Sequence, residues 1–490
     1  MKERSFYSHL FFSLGLNLLV KPAAIFVIDA AVQNEVGTTY GLYFAVFNLS
    51  LILSILFDFG VNNLSTKLAA QNIDAAKQQF SSIFIFRLML MMFYITGLLC
   101  MKLALNISWI EYQLILILGL NQFFIANIAY FRSFFSGLHW FRLDAFFSIL
   151  DRLLLICSMG YILYIHPDGF KMVSIEIYAL FQLLGYMLTF VIAGFTLLQK
   201  VRPPLIKPKL TIIKSQVSKA LPYALLIVLM TLYTRSDAIL LKWFSGLTQA
   251  SYYAQAYRLI DALYMFAMVF AGLLLPMFAR AIQNNLSEIT GLARQASKLL
   301  LGSSIAFSIF ILFHGSFFLD MIYTQRSVYL HDVLCLLSIA FFGMASNLIY
   351  GSLLTANGSL GLLNKISFLG VVINLILNSW LLSKYHVFQA GLAAMVAALT
   401  QLLMAGIQRY YCYKYFKIQF SSRLFMQFAL LLFLLIIWYL AVAFSPMSYS
   451  LSRSTMIILD VVSSIICMVL LRFIDLKELI KLLQNREAMK

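Results

Sequence analysis

The chain has 490 residues, of which 62% are hydrophobic and 11% are charged, and its formal net charge at pH 7 is +17. Soluble globular domains are about half apolar and about a quarter charged, and a soluble core could not bury this much apolar surface. The composition therefore excludes a soluble protein and indicates a chain whose main solvent is lipid.

Apolar runs long enough to cross a membrane follow one another along the whole sequence. A spanning helix needs about 20 mostly apolar residues. The sequence predicts an all-α integral membrane protein with about fourteen transmembrane helices. Their predicted ranges are 9–31, 39–66, 81–104, 110–136, 143–165, 174–198, 216–244, 249–281, 292–315, 331–355, 364–383, 388–414, 423–444 and 454–473.

Lysine and arginine are distributed unevenly between alternate loops of this prediction. With the N-terminus inside, the inner segments hold 25 of the 36 Lys and Arg residues, and the outer loops hold six. Cytoplasmic loops carry such an excess, so both termini are predicted to be cytoplasmic and nucleic-acid binding is not expected. The first apolar run is too long for a cleavable signal peptide, so we expect this helix to remain in the mature protein.

The largest basic loop is QKVRPPLIKPKLTIIKSQVSK at 199–219, with three prolines and six cations. It separates six predicted helices from the next six, and an even number per half means that both halves enter the membrane the same way. We predict two six-helix lobes around a central cavity, followed by two additional helices. The predicted ranges are a lobe at 1–198, a cytoplasmic linker at 199–215, a lobe at 216–414, two helices at 415–473 and a cytoplasmic tail at 474–490.

Five cations fall inside the predicted spans. Each would cost about 2.5–3.5 kcal/mol at the bilayer centre, so we expect them to face protein, a partner or a water-filled cavity. They are candidate cavity cations that contact an anionic substrate: Lys21, Arg87, Arg152, Arg235 and Arg258. Pro22 should distort the first helix beside Lys21 and free backbone carbonyls there.

Acidic residues deep inside the predicted membrane spans are fewer than the cations there. Asp58 is placed near an inner helix end, and Asp151 adjoins Arg152. The candidate ion-coupling or structural acids are Asp29, Asp237 and Asp261. Asp29 is expected near the outer end of its helix.

The segment TRSDAILLKW at 234–243 contains an arginine and an aspartate two residues apart. Two residues span about 200° around a helix, so Arg235 and Asp237 cannot pair with each other. A count of 1.5 Å per residue places Arg258 and Asp261 at matching depth on the next helix. In one arrangement Asp237 pairs with Arg258 and Arg235 pairs with Asp261. In the alternative, one or more of these cations faces the cavity.

Other chemistry is sparse. No GxxxxGK[ST] phosphate loop and no HExxH metal motif occurs, and the five cysteines are scattered without metal spacing. We therefore predict no catalytic residues, no metal site and no cofactor, and a protein that is not an enzyme.

One notable stretch is YGLYFAVFNLSLILSILFDFGVNN, and another runs from TRSDAILLKW to LLLPMFAR and contains the late proline Pro276. Both resemble Wzx-type polysaccharide and O-antigen flippases. A third, NKISFLGVVINLILNSWLLSKYHVFQAGLAAMVAALTQ, carries the asparagines Asn374 and Asn378. KYHVFQAGLAA departs from the family, which commonly has a glycine-rich turn there.

The resemblance implies membership of the multidrug/oligosaccharidyl-lipid/polysaccharide (MOP) exporter superfamily. It implies two six-helix lobes, alternating access, and flipping of undecaprenyl-diphosphate-linked glycans from the inner to the outer leaflet of the bacterial cytoplasmic membrane. Such a protein is similar in outline to the lipid II flippases. The diphosphate would then meet Lys21, Arg152 or Arg235, and H⁺ or Na⁺ or the membrane potential would supply energy. Transient contact with polysaccharide polymerase machinery is a further expectation.

Two alternatives to the flippase remain. A cation-coupled multidrug antiporter of the same superfamily would favour an acidic cavity, and the cation surplus at mid-depth argues against it. A membrane-embedded glycosyltransferase or polymerase would need a large outer loop with clustered charges. The longest outer loops predicted here have only about a dozen residues, too few for such a site.

Overall fold

A computed structural model describes residues 15–54 except 18, 72–105, 108–138, 140–166, 173–204, 210–284, 286–324, 327–418, 422–444 and 452–473, with a few single positions between 57 and 69. These residues form two compact units. The first comprises those within Met1–Ala262, Ile322–Ser327 and Ser367–Ala393, and the second those within Leu263–Met321, Val328–Ile366 and Ala394–Lys490. Asp58 and the predicted tail at 474–490 lie outside the described residues.

Regular structure in the described residues is helical throughout, which confirms the predicted all-α class. A π-helix at Ala24–Asp29 precedes α1, and a 3₁₀ turn at Gly37–Thr39 follows it. The α-helices are α1 (Ala30–Val36), α2 (Tyr40–Leu53), α3 (Ile73–Leu105), α4 (Trp109–Gly137), α5 (Phe141–Phe147), α6 (Leu150–Tyr164), α7 (Ile175–Lys200), α8 (Leu210–Asn284), α9 (Leu286–Ile322), α10 (Leu330–Ala356), α11 (Leu360–Lys384), α12 (Gln389–Phe416), α13 (Ser422–Phe444) and α14 (Arg453–Leu470).

Twelve helical stretches in the described residues are long and apolar enough to cross a membrane. Two of them, Gly15–Leu53 and Leu221–Met268, have 39 and 48 residues, against about 20 for one crossing. Each is interrupted at a glycine with positive φ, Gly37 at 58° and Gly246 at 81°, a region that glycine occupies without steric cost. The protein is therefore a multi-pass membrane protein, while the count of fourteen spans stays a prediction.

The first helix is irregular where the sequence predicts a distortion. The six residues Ala24–Asp29, which begin two positions after Pro22, are π-helical. Proline cannot donate a backbone hydrogen bond and its ring crowds the preceding turn, and π-segments within helices recur at functional sites. This irregular segment lies between Lys21 and the end of the helix, and it contains Asp29.

The span predicted at 143–165 is also broken, because α5 ends at Phe147 and α6 begins at Leu150. Ser148 lies at the break, and its hydroxyl exchanges hydrogen bonds with the Asn17 side chain at 2.9 and 3.2 Å. The start of the first helix is thus attached to the break that precedes Arg152.

An aromatic core fixes the helices of the first unit around this region. Phe80, Tyr130, Phe134 and Phe147 are buried together, and the rings of Phe80 and Tyr130 stack at 5.6 Å. Offset and edge-to-face ring pairs contribute about 0.5–1.5 kcal/mol beyond their buried area. Since lipid supplies no hydrophobic drive between helices, such ring packing holds α3, α4 and α5 in register.

The second unit has its own core. Leu431, Leu435 and Tyr439 of α13 pack with Met468 of α14 and with Phe473. Within α10 and α12 of this unit, the Asn347 side chain donates to Gln401 Oε1 at 2.8 Å. Apolar packing and a buried amide pair therefore both join membrane helices here.

Candidate functional site

Asp29, at the end of the π-helix, is a buried acid with only 3% of its surface exposed. The Tyr40 hydroxyl lies 2.7 and 2.8 Å from its two oxygens, and Tyr178 of α7 donates to Oδ1 at 2.8 Å. Gln33 donates to Oδ2 at 3.2 Å. Hydroxyl and amide donors from α1, α2 and α7 therefore converge on one carboxylate.

Arg258 of α8 supplies the positive charge for this acid. Its Nε lies 3.1 Å from Asp29 Oδ2 and donates to the Tyr40 hydroxyl at 3.0 Å. The guanidinium carbon is 4.8 Å from the centre of the Phe47 ring, so the ring face adds a cation–π contact. Arg258 thus joins α8 to the first helix through a buried ion pair within the first unit.

The same arginine continues to a second acid. Arg258 Nη1 lies 3.6 Å from Asp261 Oδ2, and Arg235 Nη2 lies 2.9 Å from Asp261 Oδ1. The predicted pairing of Arg235 with Asp261 is therefore present. We call Asp29, Arg258, Asp261 and Arg235 the ion-pair chain; two acids balance two cations, so it has no net charge.

The predicted pairing of Asp237 with Arg258 is wrong. Arg258 and Asp261 are three residues apart and share one face of their helix, and that face meets Arg235. Asp237 lies about 200° around its helix from Arg235, so it points elsewhere. Depth along the helix axis matched the two residues, but rotation about the axis separates them.

Asp237 instead is surrounded by uncharged hydrogen-bond donors, and it is 1% exposed. Tyr253 donates to its Oδ2 at 3.0 Å, while Asn374 and Asn378 of α11 donate to its Oδ1 at 2.9 and 2.8 Å. Ser236 in turn donates to Asn374 Oδ1 at 2.8 Å. Within the described residues Asp237 forms no ion pair.

Lys21 lies among charged groups near the break between α5 and α6, and it is half-buried. The charges of Arg132, Arg152, Asp151 and Asp144 all act on its ammonium group. We call these five residues the Lys21 cluster. Three cations against two acids leave one net positive charge.

Pairing within the Lys21 cluster leaves part of its positive charge accessible. Arg132 Nε bonds Asp144 at 2.7 Å, and Arg152 Nε lies 3.3 Å from its neighbour Asp151. The Arg152 side chain is still 29% exposed and lies over the Tyr186 ring at 5.5 Å. Lys21 forms no ion pair within the described residues, so its ammonium and the Arg152 guanidinium have N–H groups that can donate to an anion.

Arg87 has a different environment from the other candidate cations. It is 1% exposed, and its guanidinium donates to the Ala126 carbonyl and, at 2.7 Å, to Asn62 Oδ1. Its Cζ atom is 4.7 Å from the Tyr130 ring centre. Arg87 therefore ties α3 to α4 within the aromatic core.

Sequence reasoning found the charged residues but missed the neutral donors that complete the site. Tyr40 and Tyr178 bind Asp29. Tyr253 binds Asp237, and Asn374 and Asn378 bind the same acid. One signal was readable: the two asparagines are four residues apart, so they occupy one helix face, as do Tyr253 and Tyr257.

The family model described as "Polysaccharide biosynthesis protein" matches residues 10–282, more than half of the chain. No protein of curated function matches the sequence.

Solved structures share the fold at low sequence identity. The lipid II flippase MurJ, in an inward closed conformation, is 14% identical with a TM-score of 0.70, over 97% of this chain and 99% of that one. An inward-facing multidrug resistance MATE family transporter of the MOP superfamily is 15% identical with a TM-score of 0.66, over 82% and 94%. A MOP superfamily transporter from Pyrococcus furiosus is 12% identical with a TM-score of 0.58, over 84% and 94%.

These findings confirm the superfamily that the sequence resemblance implied. The match over 10–282 includes the first helix, the Lys21 cluster and the ion-pair chain. The chain therefore belongs to the polysaccharide biosynthesis protein family and has the fold of MOP-superfamily flippases and transporters.

Proposed function

We propose that the protein flips undecaprenyl-diphosphate-linked glycan units from the inner to the outer leaflet of a bacterial cytoplasmic membrane, as a step in polysaccharide or O-antigen biosynthesis. The observation that carries the proposal is the Lys21 cluster, a net positive group on the first helix, α4, α5 and α6 of a polysaccharide biosynthesis family member. A diphosphate is the anionic part of such a substrate, and charge-assisted hydrogen bonds to it are strong.

Lys21 and Arg152 are the proposed diphosphate ligands. Both are partly accessible, whereas Arg87 and Arg258 are buried in contacts with protein. Arg235 is 19% exposed and is paired with Asp261. This ion pair would have to break before Arg235 could bind the diphosphate. The order Lys21 and Arg152, then Arg235, follows from how much pairing each cation must lose to accept phosphate.

Alternating access of two lobes, 1–198 and 216–414, is the proposed mechanism, with both termini cytoplasmic. Binding of a substrate shifts a conformational equilibrium only by its differential affinity for the two states. A cation that binds diphosphate in the inward state and loses it in the outward state would provide that difference. No covalent step is required, since the glycolipid leaves chemically unchanged.

The test replaces Lys21 and Arg152 by alanine, singly and together. We expect each single variant to lower surface polysaccharide at least tenfold and the double variant to abolish it, because a lost charge-assisted contact costs about 1.5–3 kcal/mol. Surface glycan and the amount of protein in the membrane fraction are measured together. Lys77→Ala removes a cation whose nearest acid is 3.9 Å away at a helix surface and serves as the control. Normal glycan in the double variant would refute the assignment.

Asp237 is the proposed site for a coupling ion. A buried carboxylate without a cationic partner is costly in a membrane, so a proton or a sodium ion would relieve it. Asn378 Oδ1 is buried with no hydrogen-bond partner among the described residues, and amide and carboxylate oxygens suit a hard cation.

Asp237→Asn tests this assignment in vesicles that contain purified protein and a fluorescent prenyl-diphosphate glycolipid. We expect the variant to bind the lipid as the wild type does, because Lys21 and Arg152 are intact. Its flipping rate should no longer respond to an imposed pH or sodium gradient, since its side chain has no charge to neutralise. Asp74→Asn, at an 83% exposed side chain, is the control. A gradient response equal to that of wild type would exclude Asp237.

A MATE-type multidrug antiporter remains the second candidate, because it has the same fold. A cation-coupled antiporter would favour an acidic cavity, and the net positive Lys21 cluster would repel cationic drugs. Resistance to cationic drugs on expression, without any effect on surface glycan, would favour the antiporter.

A further inference from the structure

A cavity of about 330 Å³ lies within the second unit, bounded by α9, α13 and α14. Its polar lining includes His314, Asp460 and Arg453, and its apolar lining includes Phe317, Met456 and Ile457. It shares no residue with the Lys21 cluster or the ion-pair chain. Its volume is at the lower end of the range for small-molecule sites.

The acid in this cavity is already satisfied. Asp460 Oδ2 lies 2.7 Å from His314 Nε2, and Trp438 Nε1 donates to Oδ1 at 2.8 Å. The Asp460 side chain is 2% exposed. Both carboxylate oxygens therefore face donors, and the acid is tied into the contact of α9, α13 and α14.

Arg453, unlike Asp460, has a side chain without a partner in the described part of the chain. It is the first residue of α14, it is exposed, and within the described residues its side chain forms no ion pair or hydrogen bond. Asp460 lies seven residues further along the helix, which is about 10 Å at 1.5 Å per residue. The cavity thus begins at a cation at the helix end and extends about 10 Å along an apolar wall.

We propose that this cavity binds an anionic phospholipid, with Arg453 contacting its phosphate and the upper acyl chain lying along Phe317, Met456 and Ile457. A soluble anion would use Arg453 but would gain nothing from the apolar wall. A zwitterionic lipid would use the wall but would bring its own cation to Arg453. Phe444 and Ile458, which follow the lining residues Ala443 and Ile457 in the sequence, are exposed apolar side chains of the kind that faces lipid.

The test uses the full chain, purified in detergent, and measures binding of individual lipids by native mass spectrometry. For wild type we expect phosphatidylglycerol to bind about five- to tenfold more tightly than phosphatidylcholine, which corresponds to roughly 1 kcal/mol for one interfacial cation. Arg453→Ala should remove this preference. Lys384→Ala, at an exposed lysine that ends α11 and does not line the cavity, should retain it.

Two further measurements make the outcome decisive. Phe317→Ala should weaken both lipids equally, because it removes wall area and leaves the charge. Inorganic phosphate at millimolar concentration should not displace phosphatidylglycerol, and displacement would show a simple anion site instead. Equal binding of the two lipids to wild type, or equal loss of preference in the Arg453 and Lys384 variants, would overturn the proposal.

Discussion

Arg258→Met is expected to destabilise the protein by about 3–5 kcal/mol, because it leaves Asp29 as a buried carboxylate without its cation. Asp29 would keep its hydrogen bonds from Tyr40 and Tyr178, but neutral donors in membranes contribute only about 0.6–2 kcal/mol each. Asp261 would keep Arg235, so the loss concentrates on Asp29. Thermal unfolding in detergent, followed by loss of monodisperse protein, measures the effect.

Second-site changes identify which acid loses its cationic partner when Arg258 is replaced. Asp29→Asn removes the uncompensated charge, so the double variant with Arg258→Met should recover most of the stability. Asp237→Asn should recover none, because Asp237 does not contact Arg258. Recovery by the change at 237 and not at 29 would mean that the ion-pair chain is misassigned. Arg152→Met, at a 29% exposed side chain, should cost under about 1 kcal/mol.

Gly41→Ala is expected to lower stability by about 1–3 kcal/mol or more, the range for overpacking. A Cβ at Gly41 would collide with the Leu247 carbonyl oxygen and would lie 2.9 Å from the Ser251 backbone nitrogen. Both obstacles belong to the backbone, so no side-chain rotation can relieve them. Ser251 also donates to the Gly37 carbonyl at 3.2 Å, which holds the two segments together.

Gly97→Ala provides a matched control in α3. A Cβ there would meet nothing within 4 Å, and alanine is favoured over glycine in a helix by roughly 0.5–1 kcal/mol. The same substitution should therefore lower the melting temperature at position 41 and leave it unchanged or raised at position 97. Equal effects at both positions would show that the contact of Gly41 with Leu247 is not tight in the membrane.

The helices were predictable because their signal is one-dimensional. Length and hydropathy along the chain are enough to place runs such as Trp109–Gly137 and Gln389–Phe416 close to their observed ends. The short connection before Gln389 was also predictable, since the apolar pattern is interrupted after Lys384.

The partners of the buried charges were only partly predictable. Depth along a helix follows from counting residues, and it suggested Asp261 for Arg235 correctly. Rotation of each helix about its axis depends on packing against distant segments, which one sequence does not specify. For this reason Asp29 was not recognised as the partner of Arg258, 229 positions away in the sequence, and Tyr178 was not recognised at all.

The π-helical segment at Ala24–Asp29 would couple anion binding at Lys21 to the orientation of Asp29. A helix advances about 100° per residue, so the extra residue held in a π-turn offsets the faces on either side of it. Lys21 lies on one side of this offset, and Asp29 lies at its far end. If the segment returned to regular α-helical hydrogen bonding, Asp29 would rotate about the helix axis relative to Lys21. Phosphate binding at Lys21 would then alter the ion pair of Asp29 with Arg258 without bending the helix.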